Sequence, residues 1–291
     1  MHILILTDAD LDGAGSALLL KEVFAGHEVI IVDTTEYSIL KEFKNRWNTL
    51  DHFDKIFVCD LSLNEEQAEA INRDNVVVID HHETHSKFVD KYTKAKSVVT
   101  PYSSCTKLVF DKFKSKINVT PEKEALVKLI DQYDSWTFDF PRELEPARLN
   151  AIYYGYNKPK SEKFIESFKD GLRDYTPHEK GAIKLHFKSF VEQLENPKFT
   201  GKIKDFKVVA TFVNKHVNEV ANYMLDKYSA DVAIMVNVDI KVVSFRKQKG
   251  VQLNLGKLAE KLCEGGGAHN LAGGKLTETF ANYTKTLTPI E

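Results

Sequence analysis

The sequence predicts an α/β fold, a parallel sheet followed by a second and smaller α/β unit, and three observations carry that prediction. Short apolar runs recur at residues 2–6, 28–32, 55–59 and 76–79, each separated from the next by a stretch of helical character. The runs are continuous rather than alternating, as expected of parallel strands covered on both faces. A second set of strands and helices begins near Lys202, after a charged stretch that ends in Asn196-Pro197-Lys198. The implied division is a first domain at 1–140, a helical connector at 141–200 and a second domain at 201–291.

The first strand, residues 2–6, runs into an acidic turn, Thr7-Asp8-Ala9-Asp10-Leu11-Asp12-Gly13, and then into a helix over 14–24. A strand at 28–32 and an amphipathic helix at 39–50 follow. The third strand, 55–59, ends on Asp60. A helix over 64–72 starts with Asn64 as its cap and acidic residues in its first turn, which complement the helix dipole. The fourth strand, 76–79, ends on Asp80-His81-His82. Alternation of strands and helices in this order is the pattern of a doubly wound parallel sheet. A Lys-rich loop spans 87–96. Helices are expected at 104–114 and 121–133, the latter with Thr120 as cap and Pro121 at its first position, and it delivers Asp131 and Asp134 just before Trp136. Residues 141–197 read as mostly helical. In the second domain, strands are expected at 206–213, 231–238 and 241–246, with helices at 217–228 and 255–263. The last helix stops at a stretch with five glycines in ten residues, Gly265 to Gly274.

The chain has 291 residues, 43% of them hydrophobic, enough for two cores. Forty basic against forty-two acidic residues give a net charge of -2. A protein that grips long duplex nucleic acid through many phosphates shows a basic excess, so such binding is not expected. Cys59, Cys105 and Cys263 are widely spaced and odd in number, which indicates neither a disulfide framework nor a zinc knuckle. No apolar stretch approaches the ~20 residues needed to cross a bilayer, and the N-terminus turns acidic by Asp8 instead of reading as a signal peptide. The expected setting is cytoplasmic, with no membrane partner.

Three of the expected strands finish in Asp or His at the same end of the sheet, the end where open α/β sheets place ligands. Alone, one Asp would cap the helix and the others would face water. Crowded carboxylates repel one another unless cations neutralise them, and hard divalent metals take carboxylate oxygens. A single glycine after a helix is a cap. Three in succession, then His269 and two more glycines, suit close approach of backbone amides to an anion, with Gly266 and Gly267 as the contact positions.

Taken in order, Asp10-Leu11-Asp12, Asp60, Asp80-His81-His82 and the glycine-rich His269 stretch make the chain resemble the DHH/DHHA1 phosphoesterase superfamily. The segments LTDADLDGAGS, IDHHETH, SCTKLVFDKF and LIDQYDSW are similar to its nanoRNase B branch, whose members trim short oligoribonucleotides. The resemblance implies a parallel-sheet DHH domain and a smaller α/β DHHA1 domain across a cleft. It implies Asp10 as a ligand of a first metal and Asp12 of a second, with Asp60 bridging and His81 on the second metal. His82 would face the scissile phosphate. The fourth-motif carboxylate would be Asp134, with Asp131 as the alternative. Pyrophosphatases of this superfamily carry a His where this chain has Leu6; Asp8 resembles the RecJ and nanoRNase arrangement and would complete the first site. In the second domain, VVSFRKQ and GGGAHNLAGG resemble the DHHA1 signature, which implies Arg246 and His269 as contacts to substrate phosphate or ribose.

The expected chemistry is hydrolysis of short oligoribonucleotides to nucleoside 5′-monophosphates by two divalent ions, Mn²⁺ foremost and Mg²⁺ second, with Asp60, His81 and His82 as the catalytic centre. Two ions about 3.5 to 4 Å apart lower the pKa of a bridging water and clamp the attacking and leaving oxygens, and a carboxylate-rich set with one imidazole suits Mn²⁺ or Mg²⁺. One rival is a phosphodiesterase for cyclic or linear dinucleotides or for adenosine bisphosphate. The other is a nucleotide-binding module without catalysis.

Overall fold

The computed structural model describes residues 1–267, 269 and 271–290, leaving aside the Trp47 side chain. The chain falls into two units, one of residues 1–139 and 143–183, the other of residues 140–142 and 184–291.

In the first unit, strands β1 (His2–Asp8), β2 (Glu28–Thr34), β3 (Lys55–Cys59), β4 (Val76–Asp80) and β5 (Lys96–Val99) form a parallel sheet in the order β2-β1-β3-β4-β5. The helices are α1 (Leu11–Val23), α2 (Ile39–Arg46), α3 (Glu65–Ala70), α4 (Cys105–Phe113), α5 (Pro121–Asp134), α6 (Glu145–Gly155), α7 (Lys160–Phe168) and the long α8 (Pro177–Gln193), which runs on into the second unit. Alternation along β1 divides the core in two: Ile3 and Ile5 join the cluster of α1, α4 and α5, while Leu4 and Leu6 join that of α2. Each such fully buried side chain contributes roughly 1.5–3 kcal/mol. The helix α1 is buried from Leu11 to Leu20, so the turn that precedes it is fixed by packing.

Three local expectations differ from the fold. The amphipathic helix from Ile39 ends at Arg46 and continues as a 3₁₀ turn to His52. The Lys-rich stretch holds a 3₁₀ turn (His85–Lys91) and then edge strand β5, whose Lys96 and Ser97 are exposed and so give no apolar signal. Within the stretch expected as a helical connector, Leu149, Ile152, Tyr153, Phe164 and Phe168 of α6 and α7 are buried in the same cluster as α1.

The second unit has a seven-stranded sheet in the order β10-β11-β9-β8-β7-β6-β12. Its strands are β6 (Lys198–Ile203), β7 (Phe206–Phe212), β8 (Val232–Asn237), β9 (Val242–Lys247), β10 (Gly266–Gly267), β11 (Leu271–Lys275) and β12 (Thr288–Pro289). Its helices are α9 (Val217–Lys227), α10 (Leu255–Cys263) and α11 (Glu278–Thr284). Strands β7 and β8 are parallel, joined by α9, and the remaining pairs are antiparallel. The expected strands and helices at 206–263 are all present. Strand β6 escaped the reading because its Lys and Gly residues break the apolar pattern.

Candidate functional site

Strand register assembles the first-unit site. Thr7 of β1 pairs with Cys59 of β3, and Cys59 pairs with Ile79 of β4. The next residues, Asp8, Asp60 and Asp80, therefore leave the sheet side by side. The strand order reverses between β1 and β3, the switch point where such sheets take ligands.

Asp10 caps α1, its Oδ1 accepting from the Gly13 N–H at 2.9 Å. The turn is tight enough that a Cβ on Gly13 would lie 2.2 Å from the Asp8 carbonyl oxygen. Asp12, in the first turn of α1, is buried and accepts from the N-terminus of α4: the Cys105 N–H reaches its Oδ2 at 2.7 Å and the Thr106 N–H its Oδ1 at 2.8 Å. Asp60 is buried and holds a left-handed backbone, φ 59°.

His81 is the centre of the arrangement. Its Nδ1 lies 3.3 Å from the Tyr102 carbonyl oxygen, so Nδ1 donates there and Nε2 is the atom turned to the carboxylates. That Nε2 is buried, has no hydrogen-bond partner, and faces Asp60 at 3.2 Å, Asp134 at 3.5 Å and Asp12 at 3.7 Å. Three carboxylates gathered around one imidazole nitrogen repel one another until a cation sits among them, and the donor set fits a hard divalent ion. One ligand atom each from Asp12, His81 and Asp134 lie within 4.8 Å of one another, as do one each from Asp60, Asp80, His81 and His82.

The same crowding shows in proton affinity. Burial, then the charge of Asp10, pushes the Asp8 carboxyl up to about 7. Burial and neighbouring carboxylates also raise Asp10, Asp60 and Asp134. Asp80 goes the other way. Burial would raise it, but Nδ1 of His82 and Nδ1 of His85, each 2.7 Å away, outweigh that and hold it below the usual carboxylate range. In turn Asp80 raises His82 against the effect of burial.

The structure separates the two α5 carboxylates. Asp131 accepts from the Ser103 and Ser104 hydroxyls, the latter at 2.9 Å, while Asp134 points at His81. The reading of the sequence missed His85 and Tyr92. His85 is fully buried, with Nδ1 on Asp80 and Nε2 2.7 Å from the Tyr92 hydroxyl. A third histidine in IDHHETH was the available signal.

In the second unit, Arg246 of β9 donates from Nε and Nη2 to Asn218 Oδ1 at 3.0 and 2.7 Å, and from Nη1 to the Phe245 carbonyl at 2.9 Å. Burial pushes the guanidinium down to about 10, still charged at neutral pH. Lys247 Nζ donates to Nδ1 of the exposed His269 at 2.7 Å, and to the carbonyls of Val251 and Leu253. Gly266 and Gly267 pair with Gly273 and Ala272. Gly267 has φ 136°, and a Cβ there would lie 2.7 Å from the Leu271 carbonyl oxygen. Ala268 and Asn270 of the same stretch lie outside the described residues.

Fold and site thus define an α/β protein with a carboxylate and imidazole cluster at the switch point of a parallel sheet. Residues 2–132 match the model of the DHH family, N-terminal domain. No curated protein matches the chain. Among solved structures, the chain is similar to the pGpG-specific phosphodiesterase PggH from Vibrio cholerae, at 16% identity over 98% of this chain and 96% of that one, with a TM-score of 0.62. It is similar to RecJ in complex with Mn²⁺ from Thermus thermophilus, at 13% identity over 100% of this chain and 53% of that one, TM-score 0.59. An exopolyphosphatase-related protein from Bacteroides fragilis aligns at 15% identity over 98% and 89%, TM-score 0.55. At these identities the likeness is one of fold. Among the described residues, no helix is long and apolar enough to cross a membrane.

Proposed function

We propose that the protein is a divalent-metal-dependent phosphodiesterase that hydrolyses short oligoribonucleotides to nucleoside 5′-monophosphates. The observation that carries this reading is the buried Nε2 of His81, without a hydrogen-bond partner and facing Asp12, Asp60 and Asp134. Asp8, Asp10 and Asp60 would hold one ion, and Asp12, Asp60, His81 and Asp134 the other, with Mn²⁺ preferred. When bound, such ions supply an activated water and charge relief on the phosphoryl oxygens. The chain's own residues do the rest. The N-terminus of α4 fixes Asp12, and the Tyr102 carbonyl orients the ring of His81. Asp80 holds His82 by Nδ1 and leaves Nε2 for the scissile phosphate. Arg246 has five N–H donors; the contacts to Asn218 and Phe245 orient its fork and leave donors for a substrate phosphate, and Gly266, Gly267 and His269 would add contacts from β10 and the segment that leads to β11.

The second reading, hydrolysis of linear dinucleotides, is favoured by the likeness to the pGpG phosphodiesterase over nearly all of both chains. Defined oligoribonucleotides of two to twenty-five nucleotides, assayed with Mn²⁺, with Mg²⁺ and after chelation, test both. The proposal expects turnover that needs metal and falls with length beyond a few nucleotides. Activity confined to dinucleotides selects the second reading, and none on any length sinks both.

A further inference from the structure

The second unit holds another cluster of metal-ligating side chains, formed by His186 on α8 and by His216 and Glu219 at the start of α9. One ligand atom from each of the three lies within 4.8 Å of the others. His186 Nε2 is 3.3 Å from Glu219 Oε1, and the two imidazole rings meet edge to face with centroids 4.3 Å apart. Glu219 is 3% exposed. The Nε2 atoms of His186 and His216 are both buried without a hydrogen-bond partner. Buried polar atoms are rarely left so, and here two of them belong to side chains clustered with one buried carboxylate.

The backbone shows the same bias. His216 occupies the N-cap of α9, a place that favours Ser, Thr, Asp or Asn, yet its side chain makes no cap hydrogen bond. It holds a left-handed conformation, φ 57°, a region that His enters more readily than most residues with a Cβ. An ion pair between His186 and Glu219 alone would still leave His216 Nε2 unpaired. Aromatic rings wall the cluster, with Phe190 against His216 and against Phe140 and Tyr223.

We propose that His186, His216 and Glu219 form a metal site separate from the first-unit cluster, and that it takes Zn²⁺. Two imidazoles and a carboxylate with one open position are a common zinc donor set, and zinc bonds of about 2.0–2.2 Å in a tetrahedron set ligand atoms roughly 3.3 Å apart, the separation of His186 Nε2 and Glu219 Oε1. The oxygen-rich set of the first unit suits Mn²⁺ or Mg²⁺ instead. Asn218 lies between two of the ligands in sequence and holds Arg246. A bound ion would thus stiffen the first turn of α9, and with it the arginine.

The test is Zn²⁺ stoichiometry of the full chain by competition with a chromophoric chelator, alongside the zinc-induced rise in Tm. His186→Gln keeps a helix former, His216→Gly suits the left-handed backbone, and Glu219→Gln keeps the shape. Each is expected to bind one equivalent fewer than the parent and to lose most of the Tm rise, while Asp60→Ala keeps this equivalent. Cobalt offers a readout on the parent alone: Co²⁺ should give a tetrahedral visible spectrum that Zn²⁺ displaces. Equal zinc stoichiometry in the parent and in any folded variant overturns the site. So does a parent without that spectrum. Neither result bears on phosphodiester hydrolysis, which is measured separately.

Discussion

The two units treat their charged residues in opposite ways. At the end of β1, β3 and β4, carboxylates crowd together, and Asp12, Asp60 and Asp134 face the imidazole of His81. Around β9, Arg246 and Lys247 spend most of their donors on Asn218, His269 and backbone carbonyls. The first cluster is short of counter-charge, and the proposed cations would complete it from outside the chain. The second is satisfied within the chain and is preformed. A group that awaits a cation should fail outright when changed, and a group that only positions should fail by degrees.

The largest effect belongs to Asp60. Asp60→Ala should abolish turnover and lower bound Mn²⁺, with the fold retained by circular dichroism, because removing a carboxylate from a crowded site relieves repulsion in the metal-free state. Full activity in a folded variant would erase the contrast between the units.

Next comes the pair on α5. Asp134→Asn should cost at least about a hundredfold in kcat, as expected for loss of an interaction at the reacting centre. Asp131→Asn should cost little activity and about 1 kcal/mol of stability through its hydrogen bonds to Ser103 and Ser104. The reverse order would move the site one helical turn.

Arg246→Ala should lower kcat/KM on a dinucleotide about ten- to hundredfold, the equivalent of a charged hydrogen bond of roughly 1.5–3 kcal/mol. Bis-p-nitrophenyl phosphate should be hydrolysed nearly as before, and Mn²⁺ content should hold. Equal losses on both substrates with loss of metal would place Arg246 in the reacting centre.

Stability against pH sharpens the comparison further. The Asp8 carboxyl is raised to about 7 in the fold, against an unfolded value near 3.9. The folded chain therefore binds more protons between those limits, and the contribution of Asp8 to metal-free stability is full below about pH 4 and lost as pH rises to about 7. The Tm of metal-free Asp8→Asn should gain on the parent across that window, and saturating Mn²⁺ should remove the gain. A difference constant with pH would show that Asp8 is not crowded. Smallest is the response to salt: the log-log slope of binding should match a few phosphates at about 0.7 each, and a steep slope with a 25-mer would point to an extended nucleic-acid track.

The parallel sheet was legible because its strands are buried on both faces, so that residues 2–6 and 76–79 spell continuous apolar runs. Edge strand β5 and strand β6 were not, since Lys and Ser in the first and Lys, Thr and Gly in the second interrupt the apolar pattern. In the site, Asp8, Asp60 and Asp80 could be placed at one end of the sheet from strand order alone. The choice between Asp131 and Asp134 needed the neighbouring helix, because Ser103 and Ser104 determine which carboxylate is already engaged. The chain from Asp80 through His85 to Tyr92 was hidden for a similar reason: it is a three-dimensional contact whose members look like surface residues in a polar loop. His186 and His216, thirty residues apart, gave no spacing signal at all.

The backbone of Asp60 bears on how this chain would change over generations. A left-handed conformation costs a residue with a Cβ about 1–2 kcal/mol relative to glycine, and the buried carboxylate adds repulsion to that strain. Glycine here would relieve both at once. For the fold alone, then, glycine would serve better than Asp60, and a lineage released from the need for the site would be expected to discard the carboxylate early. Relatives that have kept the fold and lost the activity should be recognisable by glycine or asparagine after the third strand, well before their cores begin to diverge.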